Sequence, residues 1–373
     1  MDNIFLSGAL AFLITFFSIP VIIEVAKDKK LFDEPDERKV HNAVIPTLGG
    51  LGIFAGFILA TLIGAPSAAV LQYFMASVMV IFFLGIKDDI LILSASKKFI
   101  GQLVAAGIII KFGGIQITNM YGFLGIHTLP PTVSVLLTLF TIVVITNSFN
   151  LIDGVDGLAG CLGLLTSVIF GLYFYKTGQT LYAVMALSLS GSLIGFIIYN
   201  FSPAKIFMGD TGSLLIGLLN SIFVIKFIAI ADDPSFGFPL ASAPAIGFAI
   251  LIVPLFDTLR VVGLRIISRR SPFSPDRNHI HHFLLELGLS HKMITITCVS
   301  TNILFIALAY FLRFAGTTME ILALSVVSII GVGIVYYSRP KAKIISTNNL
   351  SNKEDIIKSF KVIKLLEERI EQD

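Results

Sequence analysis

Apolar residues run in long blocks along this chain, and its polar residues are confined to the gaps between them. Eleven blocks, at 4–25, 47–64, 69–87, 98–113, 132–149, 157–175, 180–199, 212–230, 244–264, 293–312 and 319–337, read as membrane-crossing helices. A bilayer core of about 30 Å takes about 20 apolar residues in helical form. Gly49, Gly50, Gly52 and Gly56 crowd the second block, and Gly191 and Gly195 the seventh. Small residues let membrane helices approach closely. The pattern predicts an all-α membrane protein, a polytopic bundle of about 11 transmembrane helices.

After the last block the pattern changes. A basic linker leads into LSNKEDIIKSFKVIKLLEERIEQD, where Ile356, Phe360, Ile363 and Ile370 recur at near-helical spacing and Ser351 with Glu354 fits a capping box. The expected organisation is therefore a transmembrane domain over 1–340 and a cytoplasmic tail over 341–373, ending in an amphipathic helix. That helix reads as solvated or lying at the membrane interface. Dimerisation or partner binding is the other reading, so a homodimer stays open.

Composition agrees with lipid as the solvent. Of 373 residues, 55% are hydrophobic and only 14% charged, against roughly 25% charged in a soluble domain. The mean hydropathy is +0.89. Cys161 and Cys298 sit far apart in apolar runs and read as small buried residues. The N-terminus lacks both a positive leader and a clear cleavage site, so it reads as a retained first helix.

The net charge of +3 says little, but its distribution orients the chain. Segments 26–46, 87–98, 200–211, 260–292 and 338–373 hold 5, 3, 1, 6 and 8 Lys and Arg residues, which is 23 of the 27. By the positive-inside rule these segments are cytoplasmic. Eleven spans then place the N-terminus outside and the C-terminus in the cytoplasm.

Five polar clusters fall on that side. The first runs from Asp33 through Lys39 to His41 and on to Gly50, and alone it reads as an ordinary charged loop. The second is Asp88-Asp89, followed by Lys97, Lys98 and Gln102. Adjacent carboxylates at a membrane edge repel unless a cation offsets them; interfacial anchoring is the plainer reading. Ile92 excludes the prenyl-binding DDxxD motif.

The third cluster holds Asn147, Asn150, Asp153 and Asp156, with Gly154 and Gly157 between and after the acids. If the segment is helical, the three-residue spacing of Asn150, Asp153 and Asp156 puts them on one broad face. They would present the hard oxygens that magnesium prefers. The fourth extends from Asn200 to Ser213 and includes Lys205, Phe207, Gly209, Asp210 and Thr211. At a helix start it offers free N–H groups as an anion site, or simple capping by Asp210 or Thr211. The fifth holds Arg269, Arg270, Asp276, Arg277, His279, His281 and His282. With no cysteine nearby, contact of His and Arg with a sugar diphosphate fits better than a zinc site. Together the clusters suggest phosphoryl chemistry on a cytoplasmic face, with one substrate carried by lipid.

Three motifs carry a resemblance. NxxDGxDGLAG (Asn150 to Gly160), NFSPAKIFMGDTGS (Asn200 to Ser213) and HIHH (His279 to His282) resemble the polyprenyl-phosphate N-acetylhexosamine-1-phosphate transferases over about residues 1–340. The HIHH form is similar to the WecA/TagO branch. The branch that uses UDP-MurNAc-pentapeptide shows three consecutive histidines, and Ile280 interrupts them here.

The resemblance implies a multi-pass enzyme of the bacterial cytoplasmic membrane with its active site facing the cytoplasm. It implies magnesium as cofactor, with manganese as an alternative, and no nucleic-acid partner. Its substrates would be a UDP-N-acetylhexosamine and undecaprenyl phosphate. By position, Asn150 and Asp210 match metal ligands, Asp88 the carboxylate that activates the lipid phosphate, and Asp89 its neighbour. Asp153 and Asp156 match acidic positions near metal and nucleotide. Phe207 matches a ring that stacks on uracil, with Asn200 and Lys39 nearby, and Lys98 a motif lysine spaced with Gln102. Arg277, His279, His281 and His282 match a loop closing over the diphosphate and sugar, with His279 among the catalytic positions.

Two other classes compete. CDP-alcohol phosphatidyltransferases also carry Asp-Gly motifs, but they need Ala-Arg shortly after the first and two later aspartates in one helix; here Asp156-Gly157 is followed by Leu-Ala-Gly. An ion-coupled transporter would hold its acids near the bilayer midplane. Here they fall at span ends.

Overall fold

A computed structural model describes residues 2–29, 45–91, 93–271 and 278–339. Lys39, Arg277 and the tail over 341–373 lie outside the described residues.

The helices in order are α1 (Asp2–Asp28), α2 (Gly49–Gly64), α3 (Ala69–Leu91), α4 (Ala95–Lys111), α5 (Pro131–Ile152), α6 (Leu158–Lys176), α7 (Thr180–Asn200) and α8 (Gly209–Ile230). They continue with α9 (Ala243–Ile250), α10 (Ile252–Ile267), α11 (Ile280–Glu286), α12 (His291–Leu312) and α13 (Thr317–Ser338). A hairpin, β1 (Asn119–Phe123) and β2 (Ile126–Thr128), joins α4 to α5 and is the one departure from helix and loop among the described residues beyond an isolated bridge at Pro46. Gly122 and Gly125 take φ of 77° in its turn, a region open to glycine.

All eleven apolar blocks are helical. Among the described residues eight helices are long and apolar enough to cross a membrane, and the bent pair α9–α10 makes up to nine. The protein is thus a multi-pass helical membrane protein. The helices α2 and α4 have 16 and 17 residues. At 1.5 Å per residue these are about 25 Å long, short of a 30 Å core.

The block at 244–264, expected as one span, is broken at Leu251 by 87°. Pro254 has no N–H to give the carbonyl of Ile250, which would be its helical partner. Asn302 of α12 supplies the missing bonds. Its Nδ2 donates to the carbonyl of Ile250 at 3.0 Å, and its Oδ1 accepts from the N–H of Val253 at 3.3 Å. A buried side-chain amide thus replaces the lost rungs, as backbone in lipid requires.

The bundle forms around α8. Every residue from Thr211 to Ile225 is buried, the signature of a helix apolar on all sides and surrounded by others. On the periphery, Phe17 of α1, Phe311 of α12 and Ile334 of α13 are exposed, as lipid-facing positions should be. Glycines set the closest contacts. A Cβ on Gly191 would lie 1.9 Å from the carbonyl oxygen of Gly8, and one on Gly50 would lie 2.3 Å from the nitrogen of Gly212. The second contact seats α2 against the start of α8.

Candidate active site

The first turn of α8 is anchored from three directions. The loop before it pairs with residues leading into α2: Phe207 N–H donates to Pro46, Gly49 N–H to Phe207 and Gly50 N–H to Met208, at 2.7, 2.9 and 2.8 Å. Gly209 has φ of 71°, and a Cβ there would meet Thr47 O at 2.3 Å and the Asp89 carboxylate at 2.8 Å. On the third side Gly85 of α3 lets Thr211 approach, since a Cβ would sit 2.5 Å from the Thr211 Cα.

Asp89 caps this helix from α3. Its Oδ1 accepts from Asp210 N–H at 2.6 Å, and its Oδ2 accepts from Thr211 N–H at 3.1 Å and Thr211 Oγ1 at 2.6 Å. The helix start therefore does not offer these N–H groups to a phosphate, as the sequence had suggested. The unpaired donors of a helix end and a buried carboxylate satisfy each other. Asp89 fixes α8, and through it Asp210.

Asp210 is the centre of the acidic cluster. The Lys98 ammonium, from the first turn of α4, pairs with Asp210 Oδ2 at 2.7 Å and also with Asp88. Asp88 is buried and accepts from Leu93 N–H at 2.5 Å. Asn150, in the last turn of α5, donates to Asp210 Oδ1 at 2.9 Å and Ser213 Oγ at 3.1 Å. One turn before it, Asn147 exchanges two amide hydrogen bonds with Gln102, at 2.7 and 3.2 Å. That clasp ties α4 to α5 and fixes the helix that carries Lys98.

Asp153 adds a further carboxyl group to the cluster. It caps the C-terminal end of α5. Burial, then the charges of Asp210, Asp89 and Asp156, push its carboxyl up to about 8. Four carboxyl groups, Asp88, Asp89, Asp153 and Asp210, thus lie together, with the Lys98 ammonium paired to two of them. Such a set of hard oxygens fits magnesium, whose charge would favour the ionised form of Asp153. Among the described residues no three His, Cys, Asp or Glu side chains converge as a ready metal cage. The ion would draw its remaining ligands from substrate phosphates and water, as magnesium commonly does.

Asn150, Asp153 and Asp156 do not share a helical face. The helix stops at Ile152, and Gly157 turns the chain with φ of 76°. Asp156 instead braces the turn. It accepts from Ala204 N–H at 3.2 Å and pairs with His291 Nδ1 at 3.2 Å, while its carbonyl accepts from Thr295 Oγ1 at 2.9 Å. Asn200 is 3% exposed, accepts from Gly157 N–H at 2.9 Å and donates to the Ile206 carbonyl at 2.8 Å. Its amide therefore holds the Gly157 turn to the loop before α8. His291, outside the five polar clusters, is a partner of Asp156. Phe207 is half-buried on that same loop.

The histidines form a second unit. His279 precedes α11, and His281 and His282 lie in its first turn. The His279 and His281 rings stack at 5.7 Å and 7°, and His282 lies 4.3 Å from His281. His281 presses on the acidic loop, where a Cβ on Gly154 would come within 2.6 Å of its Nε2. Burial, then neighbouring His282, lowers the His281 pKa to about 3, so its ring is neutral at physiological pH. The Arg260 and Arg339 guanidinium groups lie 5.3 and 4.1 Å from the Phe283 ring, and Arg339 pairs with Glu286 at 2.8 Å. An apolar groove of about 410 Å³ adjoins this unit, lined by Phe256, Leu284, Cys298, Phe305 and Val332, with Asp257 among its few polar neighbours. Neither Lys98 nor Asp210 lines it.

Comparison with known proteins sets this geometry in context. Glycosyl transferase family 4 matches residues 71–228, a stretch that holds the whole acidic cluster and ends before the histidines. The chain is 36% identical over 315 residues to the decaprenyl-phosphate N-acetylglucosaminephosphotransferase of Mycobacterium leprae, covering 78% of this chain and 79% of that protein. It is 32% identical to a probable undecaprenyl-phosphate N-acetylglucosaminyl 1-phosphate transferase of Bacillus subtilis, covering 79% and 81%. To the undecaprenyl-phosphate alpha-N-acetylglucosaminyl 1-phosphate transferase of Escherichia coli K12 it is 28% identical, covering 75% and 76%.

Proposed function

The chain belongs to glycosyl transferase family 4, the polyprenyl-phosphate N-acetylhexosamine-1-phosphate transferases, and on that premise we propose its reaction. It transfers N-acetylhexosamine-1-phosphate, foremost N-acetylglucosamine-1-phosphate, from a UDP-sugar to undecaprenyl phosphate. UMP leaves, and the lipid product begins a cell-surface glycan. The observation that carries this reading is the linked set of Asp88, Lys98, Asp210 and Asn150, in which Lys98 pairs with both acids and Asn150 donates to Asp210.

An oxygen of the lipid phosphate attacks the phosphorus bearing the sugar. The bond from that phosphorus to the bridging oxygen breaks, and the bridging oxygen leaves on UMP. Lys98 holds positive charge where the acceptor phosphate must approach two carboxylates. The second pKa of a phosphate monoester is about 6, so the acceptor is already anionic at neutral pH. Asp88 therefore positions it rather than deprotonating it. Asp210 and Asn150, with Asp153 beside them, would hold magnesium. Bound there, the ion would supply positive charge beside the leaving phosphate. Phe207 offers a ring for the uracil, and the histidine helix closes the site from the far side of Gly154.

We also place this chemistry at the cytoplasmic face of the bacterial inner membrane. The supporting observation is the distribution of 23 of 27 Lys and Arg residues to one set of loops. With α2 and α4 counted as crossings, eleven spans put the N-terminus outside and the C-terminus inside. The acids lie at helix ends, which supports surface chemistry over ion-coupled transport.

The test is purified full-length protein with undecaprenyl phosphate and a panel of labelled UDP-sugars. Label should pass to lipid most efficiently from UDP-N-acetylglucosamine. Transfer from none of the UDP-N-acetylhexosamines would refute the assignment.

A further inference from the structure

Asp257 is an acid within an apolar helix, and the reaction outlined above does not use it. It is 3% exposed on α10. Its Oδ2 lies 2.8 Å from Nδ1 of His279. Its Oδ1 accepts from Ile280 N–H at 3.0 Å and from Arg260 Nη2 at 2.8 Å. The same guanidinium donates to the carbonyl of Asn278. One turn of α10 thus grips three successive residues, 278–280, at the entrance to α11.

Docking alone does not explain this. Phe283 and Leu284 of α11 are already buried, and Arg339 ties the helix to α13. Burying a carboxylate is costly unless it is paired and hydrogen-bonded. Apolar residues would seat a helix here without that penalty. What a carboxylate adds is control of a ring. Ionised, it can only accept, so the shared proton resides on Nδ1 of His279. The lone pair of Nε2 is left on the opposite edge of the ring. That ring stacks on His281, which rests on Gly154 beside Asp153.

We propose that Asp257, braced by Arg260, is a positioning residue that holds His279 as the Nδ1–H tautomer and leaves Nε2 as the edge offered to the sugar diphosphate. The functional part rests on the phosphotransferase reading; the tautomer does not.

Two measurements test it on the full chain in lipid nanodiscs. Labelling the six histidines with ¹⁵N, with H279Q to assign the signal, should show His279 protonated on Nδ1 in the wild type. In D257N, whose amide can donate to Nδ1, the proton should move to Nε2. A wild-type His279 protonated on Nε2 overturns the proposal, whether or not the protein is active. In steady-state kinetics D257N should lower kcat roughly 100-fold with little change in either KM, as expected for a carboxylate that sets a histidine tautomer. Because Asp257 acts through His279, D257N/H279A should be no slower than H279A. Losses that multiply in the double variant, or wild-type kcat in D257N, overturn it as well. A wild type that releases no UMP from any UDP-sugar would fail the functional reading instead, with the tautomer still deciding the Asp257–His279 link.

Discussion

The acidic cluster and the histidine helix meet at the Asp153–Gly154 loop, yet they are held in opposite ways. The cluster is framed by backbone. Gly50 touches Gly212, Gly85 touches Thr211, and Asp89 caps α8 through main-chain N–H groups. These contacts hold its carboxyl groups close together, with Lys98 paired to Asp88 and Asp210. The histidine helix has seven residues and is seated by side chains, with Phe283 and Leu284 buried and Asp257, Arg260 and Arg339 making polar or cation–π contacts to it. The difference assigns roles: a backbone frame for the acidic cluster, and a helix seated through its side chains.

The comparison breaks first at Asp210. D210A should lower turnover by about 1000-fold or more, the scale of losing a charge-stabilising group at a reacting centre, and any residual rate should lose its response to magnesium. Near-normal activity in the purified variant would refute the metal assignment. K98M leaves Asp88 and Asp210 facing each other with no cation between them. Unpairing fully buried charges costs about 3–5 kcal/mol, and these groups are partly solvated, so a loss of about 1–3 kcal/mol is expected in denaturation experiments. An unchanged stability would show that the two acids already share a proton.

D89A removes the cap on α8 without touching the ion pair. A drop of about 1–2 kcal/mol is expected, with faster amide exchange confined to the first turn of α8. The smallest effect belongs to the histidine helix. His281 has a pKa of about 3 when docked, against about 6.5 when free. Its contribution to docking is complete above pH 6.5 and falls away as pH drops toward 3, because the free ring takes up a proton that the docked ring refuses. Amide exchange in 280–286 should therefore quicken at pH 5 relative to pH 7.5, with the buried middle of α8, from Leu214 to Val224, unchanged. An equal response in both regions would erase the distinction between them.

The sequence and the structure agree most closely where chemistry and spacing coincide. Asp88, Lys98, Asn150 and Asp210 were legible because acids, an amide and a lysine at the ends of apolar blocks have few structural uses. The spacing of Asn150, Asp153 and Asp156 misled, because a helical face assumes a continuous helix and Gly157 permits a left-handed turn instead. The N–H groups expected to bind an anion at the start of α8 are instead taken by Asp89. These donors and the carboxylate that fills them lie 121 and 122 residues apart, and only the fold brings them together. Asp257 carries one sequence signal, an acid three residues from Arg260 inside an apolar helix. The break at Leu251 had half a signal in Pro254, whose missing N–H is answered by Asn302, some fifty residues later.

The central claim is transfer of a sugar with its phosphate, and the leaving nucleotide reports it directly. Wild-type protein in vesicles containing undecaprenyl phosphate, given UDP-N-acetylglucosamine, should release UMP in equal amount to a lipid diphosphate bearing the sugar. Release of UDP, with a lipid that has gained the sugar but no second phosphorus, would mean that the sugar–oxygen bond is the one broken and would contradict the account.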